Sequence, residues 1–309
     1  MRNQESVNGA GTLNRKKRND LIFFITLVVL PLTQFFLFYV CVNANSILLS
    51  LKEYDVITGE TSFVWLKNFK NVFYEFTATT LMPTALKNSL IAWVVNLFVG
   101  IVLGMIFSYY IFKKMLGSNF FKVLLFMPSI VSSLVMVVVF RQFVEKGLPA
   151  FAGWFGVEMQ GLLGNNDTYF AAILFYNIWV GFGTQILMFL GAMNNISDGV
   201  LEAAKIDGAS FVKEFIFIVV PLVWSTFEVF VTVSVVQIFT NQLNLFSFEG
   251  ANAQAQFYTL GYYLYRGVQT GRQADYPMLS ALGLICTLFA IPLTYLAKFV
   301  LRKIGPKEV

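Results

Sequence analysis

Two long apolar runs of this sequence are separated by the polar stretch Glu202–Ala209, which reads Glu-Ala-Ala-Lys-Ile-Asp-Gly-Ala. Its alanines keep a helix backbone close to the surface, so that another protein can approach, and Gly208 permits the positive φ that ends a helix. The sequence has no histidine, which removes His general bases and His-ligated metals. We therefore expect docking to a partner protein, with no catalytic or metal-binding role, from Glu202, Ala203, Ala204, Asp207, Gly208 and Ala209.

A second set of polar residues lies inside the apolar runs themselves. Because an unpaired polar group is costly in lipid, each is a candidate for function. Ser234, Gln237 and Asn241 follow one another at i, i+3 and i+7, on one helical face. Hydroxyls and amides beside an aromatic ring suit a sugar, which forms hydrogen bonds through its hydroxyls and stacks its apolar face. The predicted substrate path comprises Trp179, Gly181, Thr184, Gln185, Glu228, Ser234, Gln237 and Asn241.

These polar residues also have a structural interpretation. Membrane helices often pair polar groups across their interfaces, and any one residue of the set could be paired in this way. For Glu228 the two interpretations are equal, because pairing with another helix, for example in a partner chain, explains a carboxylate in an apolar run as well as a substrate role does.

The composition places these residues in a membrane protein. Of 309 residues, 57% are hydrophobic and 13% are charged, against roughly 25% charged in soluble domains. No charged block is long enough to fold separately, so we expect one integral domain. Cys41 and Cys286 lie in apolar segments and are expected to be small buried residues without a disulfide.

Six apolar runs are long enough to cross a bilayer, which takes about 20 residues. Their continuous apolar character predicts an all-α polytopic membrane protein with six transmembrane helices, numbered spans one to six below. The predicted domains are a basic N-terminal tail (1–20), a six-helix transmembrane domain (21–300) that contains the loop 194–214, and a C-terminal tail (301–309). The predicted spans are Leu21–Val42, Ser89–Phe112, Val123–Phe140, Tyr169–Ala192, Phe215–Thr240 and Met278–Val300.

The positive charges predict the orientation. Roughly two thirds of the 22 Lys and Arg residues fall in segments on the N-terminal side of the membrane, which places both termini and the loop 194–214 in the cytoplasm. The net charge of +5 therefore fits membrane orientation and not nucleic acid. On the outer side, Phe69, Val72, Phe73 and Phe76 predict a short amphipathic helix on the membrane surface, or else a turn packed on the protein's own spans. The outer segment 242–275 contains the aromatic-belt sequence Tyr262–Arg266 and could meet an extracellular partner.

The loop also resembles that of a known family. Importer permeases of the ABC transporter superfamily carry Glu-Ala-Ala-x-x-Asp-Gly-Ala, found here at Glu202–Ala209 and followed by Phe215, Ile218 and Pro221. In that family this "EAA" loop docks into a cleft on a cytoplasmic ATPase. Trp65–Phe73, Asn88-Ser89 and Ser280-Ala281-Leu282 look like the carbohydrate-uptake branch, in particular the maltose-type first permease. Phe246–Ala251 departs from the Thr-x-Gly-Gly-Pro that many relatives carry just after span five.

The resemblance implies a type I importer permease fold and a set of partners. This chain has no Gly-x-x-x-x-Gly-Lys-[Ser/Thr] phosphate loop, so it is expected to be no enzyme and to carry no cofactor, with ATP and Mg on partner subunits. The expected partners are a second permease chain, two cytoplasmic ATPase subunits, an extracellular solute-binding protein and the lipid bilayer, with no nucleic acid. The expected location is the bacterial plasma membrane.

The resemblance also bears on the substrate. Gly181, Thr184, Ser234 and Asn241 fall where maltose-type permeases contact sugar. Thr184 replaces a tyrosine, and Ile238 replaces an amide-bearing residue, so maltose itself is not implied.

Three functions remain open from the sequence. The leading hypothesis is import of a sugar, in particular an oligosaccharide. A second is import of another solute by the same superfamily, such as glycerol phosphate, which would want an intramembrane Lys or Arg, or a polyamine, which would want several acids. A third, from a different class, is an ion-coupled secondary carrier or a membrane enzyme.

Overall fold

The protein is described by a computed structural model, which covers the backbone of residues 2–306 and the side chains of residues 17–306. The predicted charges Arg2, Arg15, Lys16 and Lys307 lie outside the residues with described side chains. The helices are Arg2–Gln34, Phe35–Cys41, Val42–Ser50, Lys67–Ala78, Leu81–Val95, Asn96–Ile101, Val102–Phe112, Ser118–Ile130, Ser133–Gln142, Phe143–Gly147, Leu148–Gly153, Asn166–Met193, Asp198–Ile206, Phe211–Glu214, Phe215–Val219, Val220–Leu222, Trp224–Thr240, Leu245–Glu249, Ala255–Phe257, Leu260–Thr270 and Tyr276–Ile304, and the strands are Lys52–Tyr54 and Thr61–Phe63.

Four helices are long and apolar enough to cross a membrane, and two bent helix pairs bring the number to six if each pair is one span. The six spans are thus confirmed in this sense, with longer bounds than predicted. The four continuous spans are Lys17–Ser50, Leu81–Phe112, Asn166–Met193 and Tyr276–Ile304. Two antiparallel strands of three residues each, Lys52–Tyr54 and Thr61–Phe63, are an addition to the predicted all-α fold.

Spans three and five are bent, which corrects the prediction of two continuous helices. Span three consists of Ser118–Ile130 and Ser133–Gly153 at 114°, and span five of Phe211–Leu222 and Trp224–Thr240 at 70°. A proline, Pro128 or Pro221, lies two or three residues before each bend. Proline disrupts the turn that precedes it, so it does not by itself account for a bend that follows it. Hydropathy detects the apolar run but carries no information on its direction.

The helix Lys67–Ala78 confirms the predicted amphipathic helix but not its place on the membrane surface. Val72 is fully buried, and Phe69 and Phe76 pack against the main core. Asn68 fixes the helix to the end of span one, since its Nδ2 donates to the carbonyl of Ser50 at 2.8 Å. The apolar face therefore packs on the protein's own spans, and only Phe73 on that face is largely exposed.

The outer segment 242–275 is packed into the bundle. Tyr262 is fully buried and its hydroxyl donates to the carbonyl of Gly250 at 2.8 Å, so it does not form a membrane belt. Burial raises the pKa of Tyr262. Asn88 near the start of span two fixes the segment, since its Nδ2 donates to the carbonyls of Gln256 and Tyr258 at 2.8 and 2.9 Å. These contacts give a physical role to the Asn88-Ser89 pair.

Gly261 is expected to be indispensable for this packing. A Cβ added there would lie 2.5 Å from backbone carbonyl carbons of Thr240 and Asn241, and backbone cannot move aside as a flexible side chain can. We expect Gly261→Ala to lower the free energy of unfolding by about 1–3 kcal/mol, measured by thermal denaturation in detergent. Gly283→Ala is the matched control, because its Cβ would meet nothing within 4 Å. Equal stability of the two variants would contradict the close approach.

Candidate functional site

The loop 194–214 forms a helix, a turn and a second helix between spans four and five. The loop helix, Asp198–Ile206, ends at Gly208, whose φ is +74°. Ser210 then caps the next helix by accepting a hydrogen bond from the Lys213 backbone N–H at 3.4 Å. The positive φ of Gly208 agrees with the helix end expected there from the sequence.

The exposed side of the loop helix carries small, apolar and acidic side chains together with Lys205. Glu202, Ala203 and Asp207 are exposed, and Ile206 is 86% exposed. Ala204 is only 4% exposed and faces the protein's own interior. This burial corrects the prediction that Ala204 contacts a partner.

The segment Phe211–Phe215, called the arm below, follows the loop helix and is attached to the end of span two. Lys113 donates from Nζ to the carboxylate of Glu214 at 2.7 Å, and Glu214 is 3% exposed. The hydroxyl of Tyr109 donates to the same carboxylate at 3.1 Å. The Tyr109 ring also packs against Phe211 and Phe215, with centroids 4.6 and 4.8 Å away. These contacts attach this arm directly to the end of span two.

A cavity of about 380 Å³ lies between spans two, four and five. Six of the eight residues predicted for the substrate path line this cavity, so the structure brings most of the predicted set together. Those six are Gly181, Thr184, Gln185, Ser234, Gln237 and Asn241. No charged residue lines this cavity among the residues that the structure describes.

The polar side chains of the cavity differ in whether they already have hydrogen-bond partners within the protein. Ser234 is 2% exposed, accepts a hydrogen bond from the Trp93 indole at 3.1 Å and donates to the Val231 carbonyl. Its pairing between helices is the structural interpretation left open above. Gln185 is also buried, but its Oε1 accepts no hydrogen bond from any described residue. Thr184 and Gln237 are exposed. These three can meet a ligand.

The rim of the cavity is fixed by amides. Asn177 donates from Nδ2 to the carbonyl of Leu243 at 2.9 Å and accepts from Nδ2 of Asn244 at 2.8 Å. Leu243 and Asn244 both have positive φ, 52° and 55°. Such backbone is uncommon for leucine, and it is held here by the side chains of the facing span.

Trp179 and Glu228 lie outside this cavity, which corrects their grouping with the other six. Trp179 packs into the core, with its ring 6.3 Å from that of Phe140. Glu228 faces span six, where its Oε1 is 3.5 Å from Nε of Arg302. Its pairing partner is thus in its own chain.

Asn96 of span two lines the cavity and was absent from the predicted set. The same signal, an amide within an apolar run, could have found it. Among the described residues, no group of three or more His, Cys, Asp or Glu could hold a metal ion.

The cavity is not closed by this chain alone. Thr184 and Gln237 are exposed although they lie within membrane-spanning helices. Polar side chains at membrane depth face either other protein or a water-filled space, because contact with lipid is costly. This face therefore meets another protein or water and not lipid.

Comparisons with known proteins agree with this geometry. Residues 96–308 match the family model described as "Binding-protein-dependent transport system inner membrane component". The chain is 28% identical over 198 residues to the multiple sugar-binding transport system permease protein MsmF of Streptococcus mutans, covering 62% of this chain and 65% of that protein. It is 26% identical over 298 residues to the arabinooligosaccharides transport system permease protein AraP of Halalkalibacterium halodurans, covering 91% of each.

The fold matches that of solved importers. A bacterial ABC transporter involved in the import of the acidic polysaccharide alginate has a chain that superposes with a TM-score of 0.78 at 16% identity, covering 94% of this chain and 99% of that one. A second structure, of the alginate transporter in complex with an alginate pentasaccharide-bound periplasmic protein, gives a TM-score of 0.75 at 18% identity, covering 95% and 99%.

Proposed function

The chain belongs to the family of inner membrane components of binding-protein-dependent transport systems, and on that basis we propose that it is the permease subunit of an ATP-driven importer of a sugar. An oligosaccharide is the substrate class that fits best, and it is the class in the name of the relative AraP. The chain is a multi-pass membrane protein that takes part in transport and not in ATP hydrolysis.

The main observation that supports a sugar substrate is the absence of charged residues from the described lining of the cavity. Amides and hydroxyls at Gln185, Gln237 and Thr184 can exchange hydrogen bonds with sugar hydroxyls, whereas glycerol phosphate would call for a cation and a polyamine for carboxylates. The one intramembrane carboxylate considered from the sequence, Glu228, is paired with Arg302 outside the cavity. The cavity therefore favours a neutral solute.

The open face of the cavity supports a second permease chain as the covering partner. The exposed loop helix with Glu202, Ala203, Ile206 and Asp207 supports two cytoplasmic ATPase subunits, which would hold the ATP and Mg. A solute-binding protein would deliver the sugar from outside, by analogy with the pentasaccharide-bound periplasmic protein in complex with the alginate transporter. The positive charges support cytoplasmic termini in a bacterial plasma membrane.

Import then follows as a shift between two states of the bundle. The loop helix lies between spans four and five, and those spans line the cavity, so displacement of the loop moves the cavity walls. Nucleotide and loaded binding protein favour different states, and the cavity opens in turn to each side.

The test is accumulation of labelled oligosaccharides by cells that carry or lack this chain. We expect accumulation to require the chain, and Thr184→Val with Gln237→Leu to lower it by roughly tenfold or more, since each lost hydrogen bond to a neutral partner is worth about 0.5–1.5 kcal/mol.

Thr240→Val is the matched control, because Thr240 is an exposed threonine of span five outside the cavity and bonds only within its own helix. Accumulation that is independent of the chain, or equally reduced by Thr240→Val, would count against the proposal.

A further inference from the structure

A second cavity, separate from the substrate cavity, lies on the side of the bundle that carries the loop 194–214. It is open, has a volume of about 620 Å³ and shares no lining residue with the first cavity. Its walls come from the ends of spans two and four and the start of span three. The polar residues that line it are Lys114, Ser118, Asn119, Lys122 and Asn194.

The cavity is positively charged. Lys114 and Lys122 are exposed, and neither forms an ion pair with any described residue. The adjacent Lys113 is already neutralised by Glu214. No acidic side chain is among the described residues that line the cavity. Two uncompensated cations face one opening.

A helix begins at the same place. Ser118–Ile130 has 13 residues and starts after Gly117, whose φ is +75°. The Ser118 N–H donates to the Met115 carbonyl at 2.9 Å, and no described side chain caps the helix, so the next two backbone N–H groups, of Asn119 and Phe120, are left to other acceptors. Helix N-termini favour negative charge and bind phosphate oxygens through such N–H groups.

Ser118 gives an independent indication that something polar binds here. It is only 8% exposed and lines the cavity, and its hydroxyl forms no hydrogen bond with another described residue. The hydroxyl oxygen itself is not fully enclosed by protein, so it opens onto the cavity. A ligand oxygen in the cavity would give this hydroxyl a hydrogen-bond partner.

The surroundings identify the source of the anion. The cavity is level with the ends of spans two and four, at Phe112 and Met193, and therefore with the surface of the membrane. Its apolar neighbours Leu116 and Phe120 are 93% and 66% exposed, as is suitable for contact with acyl chains and unfavourable in water. We propose that this cavity binds the headgroup phosphate of an anionic phospholipid.

The site would connect the lipid to transport. Asn194, on its wall, is the first residue of the loop 194–214, so a bound headgroup bridges the span two–three connection to the base of that loop. The proposal depends on the orientation proposed above only for the choice of leaflet, which is the cytoplasmic one.

The experiment counts phospholipids bound to the purified, assembled transporter by native mass spectrometry, titrated with phosphatidylglycerol or phosphatidylcholine. We expect phosphatidylglycerol to bind and Lys114→Gln with Lys122→Gln to weaken it roughly thirty-fold, since a basic residue near anionic lipid contributes about 1 kcal/mol. Lys114→Arg with Lys122→Arg is expected to retain binding. The matched control, Lys70→Gln with Lys146→Gln, removes two exposed lysines from the predicted outer side and is expected to leave binding unchanged.

Three results would overturn the proposal. One is wild-type phosphatidylglycerol binding by the Lys114→Gln, Lys122→Gln variant. Another is equal binding of phosphatidylcholine with equal loss in that variant. The third is displacement of the lipid by millimolar inorganic phosphate, which would make the site one for a soluble phosphate. Because none of these outcomes involves import, they are distinct from a failure of the proposed function.

Discussion

Charge reversal at the loop, Asp207→Lys, is expected to abolish import and to release the ATPase from the permease. Asp207 is exposed at the end of the loop helix, beside Glu202 and the 86% exposed Ile206. An opposite charge in a docked interface costs several kcal/mol through like-charge contacts, and about 4 kcal/mol weakens binding roughly a thousandfold. The measurements are import of labelled oligosaccharide and copurification of the ATPase.

Gly208→Val tests the turn that sets the direction of the two helices. A Cβ there would meet nothing within 4 Å, so the effect must come from the φ of +74°, which is unfavourable for non-glycine residues by about 1–2 kcal/mol. If that strain is relieved by straightening the turn, the docking surface is lost and import falls with it.

Each of these two variants has a matched control on the predicted outer side. Glu158→Lys reverses an exposed acid in the same way. Gly156→Val introduces the same strain, since Gly156 has a φ of +73° and also has nothing within 4 Å of its Cβ. Both controls are expected to import normally. Wild-type import by Asp207→Lys would overturn the assignment of this loop as a docking element.

The loop could be predicted from sequence because its chemistry is local. A glycine at positive φ and a serine cap act on their immediate neighbours, and Gly208 and Ser210 do so in the structure. The bends of spans three and five could not be predicted in this way. Pro128 and Pro221 marked the positions, but membrane helices often contain proline without breaking, and the angle depends on contacts with other spans.

The cavity was only partly predictable, and helix geometry explains which part. At about 100° per residue, Gly181, Thr184 and Gln185 lie within one arc of span four, whereas Trp179 lies about 200° from Gly181 on the opposite side. By the same measure Glu228 is about 120° from Ser234. Trp179 and Glu228 were predicted from their residue types, but their angular positions on the helices place them away from the cavity. The Arg302 partner of Glu228 comes from span six, a contact that no local pattern encodes.

The buried ion pair between Lys113 and Glu214 is expected to carry the movement of the loop to span two. Its side chains are 18% and 4% exposed, so loss of one partner leaves a charge with little access to water. We expect Lys113→Met alone to lower the free energy of unfolding by about 3–5 kcal/mol. Lys113→Met with Glu214→Gln removes both charges and is expected to regain most of that stability.

Import separates a transmitting role from a purely stabilising one. If the pair couples the arm after the loop helix to span two, the double variant remains folded and binds its ATPase, yet imports at least tenfold more slowly while ATP hydrolysis continues. The matched control is Lys67→Met with Glu53→Gln, which removes an ion pair that is 53% and 43% exposed and worth at most about 1 kcal/mol. A stable double variant with wild-type import would show that the pair holds the arm in place without transmitting its motion. ATP hydrolysis without import in that variant would instead show that movement of the loop must reach span two. Span two would then be a third cavity wall that the loop moves, beside spans four and five.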